Sequence, residues 1–450
     1  MRGDKAFVIV VASMMAALVV VFCTLPRSRY SELEKRELRT FPEYSGASLR
    51  DGSFTAEVSN WFSDSEPFRD AFMTASMQLK SWMAMKPLGA REAVTFHAPE
   101  LTAEEEGNDP DALEPTSPTP AVTAPKRDQR DIQEYHHNVD ANAKMENAGV
   151  IVMGTAPNAR ALMAFKNKNK GEKAFAQTVN TYQRVFAPDV QVYCMIIPTA
   201  VEYYCPESAR SCSDPEFPIL TALYSLIDTA VQVVDLYMVM GEHVDEDIYF
   251  RTDHHWSPLG AYYAARQFAE VAGVEVPDLA DFEPHAIEGY VGSMYGFSKD
   301  INVKKSPETF VYYTPKEVAY STTYVKYQLD KDYQIVKEER PSQGDFFVKV
   351  SSPGAAYCTF MGTDSRITKV ETEVDNHRRL LILKDSFGNA LPGYLFGSFE
   401  EIHVIDFRYF THNLKKYVHE HGITDLLMTN NISQVCSGAI GSAYNRFLQQ

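Results

Sequence analysis

The chain is 450 residues long, with 45% hydrophobic residues and a formal net charge of -17. That length holds two or three domains with ample material for buried cores. The acidic balance, with no Lys/Arg-rich cluster, excludes a general nucleic-acid binder, whose phosphate contacts need a basic face.

In chain order, the first feature is residues 6–25, AFVIVVASMMAALVVVFCTL, which carry no charge. At about 1.5 Å rise per residue, a helix of that length matches the roughly 30 Å hydrocarbon thickness of a bilayer. It predicts an N-terminal transmembrane helix within a membrane anchor over residues 1–30. No small-x-small cleavage site follows the run, which places an uncleaved anchor ahead of a removed signal peptide. Arg2 and Lys5 precede the span, but Arg27, Arg29, Lys35 and Arg36 follow it, so the positive-inside rule does not favour an exported body. Cys205 and Cys212 bracket the loop CPESARSC. A disulfide there would belong to an oxidising compartment, and on that ground the body is expected to be extracytoplasmic.

Residues 31–96 are polar and charged with spaced aromatics and predict a helical stalk or collar. Residues 97–130 are rich in Pro, Glu, Thr and Ala; they bury too little apolar surface to offset ordering entropy and predict a flexible linker or surface loop. From residue 131 to 274, and again from 357 to 450, apolar runs alternate with helical patterns: GVIVMG, GEKAFAQTVNTYQRVF, QVYCMIIP and ILTALYSLIDTAV, then LLILK, FGNALPGYLFG, EIHVIDF, NLKKYVHEHG and ITDLLMT. The expectation is an α/β domain in two segments with a parallel sheet flanked by helices. Between them, residues 275–356 hold short Tyr- and Val-rich runs and predict a β-rich insertion over the sheet edge.

Ligands of open parallel sheets gather at the carboxyl ends of the strands, and two stretches fall there. In LLILKDSFGNAL, a strand ends at Lys384-Asp385-Ser386 and a helix is expected to follow. Ser386 is then either a nucleophile near orphan backbone N–H groups or, with Asp385, a plain helix cap. In RTDHHWSPLG, Ser257-Pro258 reads as a helix start. Extended backbone upstream would turn Asp253 and His255 the same way and send His254 elsewhere. An Asp orienting an imidazole suits proton abstraction from a serine; metal binding and a structural histidine pair are the other readings. Tyr290, Tyr295, Tyr312, Tyr313, Tyr324 and Trp256 are either sugar-stacking rings or core.

The residues DHHWSPLGAYY, KDSFGNA, EIHVIDFRYF, GITDLLMTNN and SELEKRELRTFPEY resemble the DHHW family of exported bacterial proteins, which is similar to the SGNH-hydrolase-like domains of alginate O-acetyltransferases. The resemblance implies an SGNH-like α/β fold in permuted order, with Ser386 as nucleophile, His255 as base and Asp253 as its orienter. It also implies Arg408, Asn430 and Asn431 near the site, with the Phe387 N–H and an Asn side chain holding an oxyanion. The expected function is a membrane-anchored carbohydrate O-acetyltransferase or acetylesterase. Its substrate would be an exported or cell-wall polysaccharide, with the acyl donor supplied by a membrane partner and neither cofactor nor metal. A non-catalytic polysaccharide-binding scaffold is the alternative. Lys384 stands where the family's usual motif has Gly, a departure expected to narrow access or to disturb the start of the helix.

Overall fold

In the computed structural model the described residues are 149–450, except 331–333, together with residues 94–97 and parts of 25–72. Residues 6–24 of the predicted transmembrane span and residues 98–130 of the predicted linker lie outside them. Among the described residues no helix is long and apolar enough to cross a membrane. The chain divides into two compact units, Met1–Ala90 with Lys299–Ile301 and Arg91–Ser298 with Asn302–Gln450.

The first unit shows helices Gly46–Arg50 and Ser53–Asp64, within the stretch expected to be a stalk. The Trp61 ring meets Phe41 edge-on at 4.8 Å and carries the Arg27 guanidinium 4.2 Å above its face.

The second unit is mixed α/β, built on strands β1 (Gln191–Ile197), β2 (Gln232–Asp235), β5 (Tyr320–Leu329), β6 (Ile335–Glu338), β7 (Arg366–Thr372), β8 (Arg379–Lys384), β9 (Glu401–Asp406) and β10 (Asp425–Asn431), in the order β6-β5-β7-β9-β8-β10-β1-β2. A further hairpin, β3 (Phe282–Tyr290) with β4 (Glu308–Pro315), stands as its own two-stranded sheet. The run from β9 to β2 is parallel throughout. These strands are the near-continuous apolar runs of the sequence, as burial on both faces demands; Leu380, Leu381, Ile382 and Leu383 are all fully buried. Helix α1 (Glu172–Phe186) leads into β1, α2 (Phe217–Leu226) into β2, and α5 (Leu414–His421) into β10.

Four expectations need correction. The sheet is mixed, because β7 joins β9 antiparallel and β5 continues from β7 antiparallel. Within the segment 275–356, expected to lie over the sheet edge, β5 and β6 instead extend the central sheet, while the hairpin stands apart from it. The run GVIVMG pairs antiparallel in a small three-stranded sheet, Val94–His97, Val150–Met153 and Arg160–Met163, outside the parallel core. Cys205 and Cys212 are free thiols, with burial pushing the Cys205 thiol up to about 11.

Candidate active site

β8 ends at Lys384, and Asp385 caps a short 3-10 turn, Ser386–Ala390, where the sequence pattern predicts an α-helix. The turn packs so closely on the end of β8 that position 388 has room only for glycine: a Cβ there would lie 2.6 Å from that of Lys384. Asp385 Oδ1 accepts the Phe387 N–H at 2.9 Å, while Oδ2 accepts the Asn431 N–H at 2.7 Å and its side-chain amide at 2.9 Å. Burial pushes the Asp385 carboxyl up to about 6, against these donors, which favour its ionised form.

The second stretch precedes helix α3 (Pro258–Ala272), which starts as the sequence predicts: Ser257 caps it by accepting the Gly260 N–H at 3.2 Å. Upstream, the chain bends through Arg251–His255 and pairs briefly at Tyr249 with Trp256. Asp253 Oδ1 accepts from His255 Nδ1 at 2.6 Å and from the His255 N–H at 2.9 Å, and Oδ2 accepts the Ser293 N–H at 2.7 Å. Since a carboxylate only accepts, Nδ1 carries the proton, and Nε2 is left to receive the Ser386 hydroxyl, 2.8 Å away. Burial raises the Asp253 carboxyl, but electrostatic attraction to His255 and the His255 hydrogen bond outweigh it and hold the group well below the usual carboxylate range.

Other chain segments fix this arrangement. Glu308 of β4 accepts the N–H groups of Arg251 and Thr252 at 2.9 and 2.7 Å. Gly292 lies so close to Asp253 that a Cβ there would fall 2.7 Å from the carboxyl carbon. Tyr357 stacks on the His255 imidazole, centroids 4.0 Å apart and planes 9° from parallel, while its hydroxyl lies 3.1 Å from the carbonyls of both Ser386 and Phe387. Sequence reading passed over Gly292, Ser293, Glu308 and Tyr357; only Gly-Ser between a strand and a helix, YVGSMYG, carries a local signal, that of a turn and a cap.

The remaining expected site residues fall as follows. Trp256 is fully buried and donates Nε1–H to the Phe387 carbonyl at 2.8 Å, so it braces the serine turn and offers no face to a sugar. Tyr290, Tyr295 and Tyr324 are core. The Phe387 N–H, expected to face an oxyanion, is given to Asp385 instead. Asn431 is engaged by Asp385 and caps helix α6 (Ile432–Ser437). Asn430 is buried; its Oδ1 accepts from Tyr444, and its Nδ2 has no partner among the described residues. Arg408 is engaged by Asp406 and Asp364, at 2.8 Å from each. Lys384 neither narrows access nor reaches solvent: it is 2% exposed, with Nζ 3.0 Å from Asp364 and 2.9 Å from Asp406. Asn389, in the serine turn, donates to the same Asp364 at 2.9 Å.

His254 departs from the alternation argument. The backbone bends instead of extending, so the His254 ring lies 3.8 Å from that of His255. Asp253, His254 and His255 each bring a ligand atom within 4.8 Å of one another, a spacing able to hold a metal ion. Both Asp253 oxygens and both His255 ring nitrogens are already hydrogen-bonded, so an ion would have to displace those bonds. Metal analysis of purified protein checks that reading.

The model of the family described as DHHW protein matches residues 34–96 and 118–405, well over half of the chain. A DHHW family protein from Eubacterium siraeum is similar at 34% identity and a TM-score of 0.59, over 66% of this chain and 95% of that one. Bacillus cereus PatB1, solved with a sulfonyl adduct, is 20% identical with a TM-score of 0.49, over 65% and 98% of the two chains. The O-acetyltransferase domain of Pseudomonas putida AlgJ is 14% identical with a TM-score of 0.38, over 67% and 100%. Among curated proteins none matches. From the family match and the Eubacterium siraeum relative together, the chain belongs to the DHHW family.

Proposed function

We propose that this protein is a serine-dependent carbohydrate O-acetyltransferase or acetylesterase, membrane-anchored and extracytoplasmic, acting on an exported or cell-wall polysaccharide. The observation that carries the reading is the continuous chain Asp253–His255–Ser386, at 2.6 and 2.8 Å. In this reading the Ser386 oxygen attacks an acetyl ester carbonyl as its proton passes to His255 Nε2, and Asp253 stabilises the imidazolium. The tetrahedral oxyanion needs donors of its own. The candidates are Asn430 Nδ2, without a partner among the described residues, and the Ser386 N–H at the first residue of its turn, where backbone donors lack partners within the turn. Collapse expels the alcohol, which takes the proton from His255. A sugar hydroxyl or water then attacks the acyl-enzyme.

Capture of the Phe387 N–H by Asp385 favours a second reading, a polysaccharide-binding scaffold without turnover. One experiment separates the two. Purified protein is incubated with a chromogenic acetyl ester and, separately, with a serine-directed phosphonate. The catalytic reading expects ester cleavage and one adduct at Ser386, both lost in Ser386→Ala; equal cleavage by wild type and variant sinks it.

A further inference from the structure

A second serine–histidine contact lies directly against the triad, and nothing in the acyl-transfer scheme uses it. His254 Nδ1 is 2.6 Å from Ser293 Oγ, on the first residue of the short helix α4 (Ser293–Ser298). The imidazole face lies 3.8 Å from His255, and the partly exposed Phe297 ring stands 5.9 Å away. The His254 side chain is 27% exposed, and its Nε2 has no partner among the described residues and is not sealed from solvent. Ser293 fixes the ring whichever tautomer is present, so Nε2 reaches outward either as an N–H or as a bare nitrogen. A hydroxyl can meet both. Burial and the neighbouring His255 lower the His254 imidazole to about 3, which keeps it neutral beside the base.

Resting on the acyl-transfer reading, we infer that His254, held by Ser293 and walled by Phe297, is an acceptor-binding subsite for a polyhydroxylated alcohol. One hydroxyl of a vicinal diol hydrogen-bonds to His254 Nε2, and this places its neighbour against the Ser386 acyl ester. The neighbour's oxygen attacks the acyl carbon, a new C–O ester bond forms, and the bond from that carbon to Ser386 Oγ breaks. The attacking hydroxyl's proton passes to His255 Nε2 and from there to Ser386 Oγ. A partner hydroxyl bound beside the base is what distinguishes a sugar from water or a simple alcohol.

The test uses the full chain with p-nitrophenyl acetate as donor and 1,2-propanediol or 1-propanol as acceptor. The nitrophenol burst reports acylation, and product analysis gives the ratio of transfer to hydrolysis. Wild type is expected to favour the diol. His254→Phe, which keeps a ring but no nitrogen, is expected to raise the KM for the diol and lower its transfer ratio by about five- to ten-fold, the effect of one lost hydrogen bond. The burst is expected to fall much less. Ser293→Ala, which leaves His254 in place but unheld, is expected to give a smaller loss in the same direction. A burst with no diol preference in wild type, or with a preference that survives His254→Phe, overturns the subsite alone. Nitrophenol release no faster from wild type than from Ser386→Ala overturns the acyl-transfer reading and this inference with it.

Discussion

Lys384→Met is the sharpest test of how the serine turn is supported. Lys384 is sealed from solvent with its ammonium on two carboxylates, and those carboxylates pull its pKa up despite burial. Methionine keeps the length of the stem and removes the charge. Breaking a buried ion pair from one side costs about 3–5 kcal/mol, because the partner charge is left unpaired. Here Arg408 remains 2.8 Å from both Asp364 and Asp406, which puts the expected loss near the lower end, about 3 kcal/mol. Urea unfolding followed by tryptophan fluorescence measures it; Trp256, bonded to the Phe387 carbonyl, reports on the turn itself. Adding Asp406→Asn removes the stranded charge, so the double variant is expected to lose at least about 1 kcal/mol less than the sum of the single losses. A loss below about 1 kcal/mol for Lys384→Met, or strict additivity in the double variant, refutes the argument that this network holds the turn.

Gly292→Ala drives a methyl group into Asp253. The expected result is a drop in ester turnover on the order of 100-fold, as for a misplacement of about 1 Å, together with slower phosphonate labelling of Ser386; an unchanged rate removes Gly292 from the argument. Burial, reinforced by Glu202, pushes the Glu216 carboxyl well above its ordinary value. A raised carboxyl contributes stability that is complete below its unfolded value and is lost as pH rises through the folded one. Thermal midpoints of wild type are therefore expected to fall from pH 5 to pH 9 more steeply than those of Glu216→Gln, and parallel profiles count against this.

The sequence made the parallel core legible because strands buried on both faces read as unbroken apolar runs, as LLILK and ITDLLMT do. It also marked both chemical stretches as junctions where a strand or loop meets a helix start with its own cap signal, but cap, metal and structural readings stayed open there, and the roles of Asp253, His255 and Ser386 came from the resemblance to the DHHW family. Other features depend on contacts between distant segments. Asp385 reaching Asn431, Lys384 reaching Asp364, and Tyr357 lying flat on His255 leave no local pattern. The side-chain alternation argument paired Asp253 with His255 in the right direction, but it misplaced His254 because hydrogen bonds given to Glu308 and shared with Ser293 bend a segment that the argument took as extended. GVIVMG failed for a related reason: a short apolar strand does not announce which sheet it will join.

The β3–β4 hairpin meets the DHH segment at one end only. Glu308, opposite Tyr290 in the register, touches Arg251 and Thr252, and the chain leaving β3 carries Gly292 and Ser293 onto Asp253. The other end, where Phe282 faces Pro315, lies roughly 25 Å along the strands at about 3.4 Å per residue. That is the open end, where the chain enters β3 and leaves β4, so additions there act at a distance of about 25 Å from the chemistry, whereas remodelling the connection just beyond Tyr290 acts directly on the segment that holds Asp253 and His254.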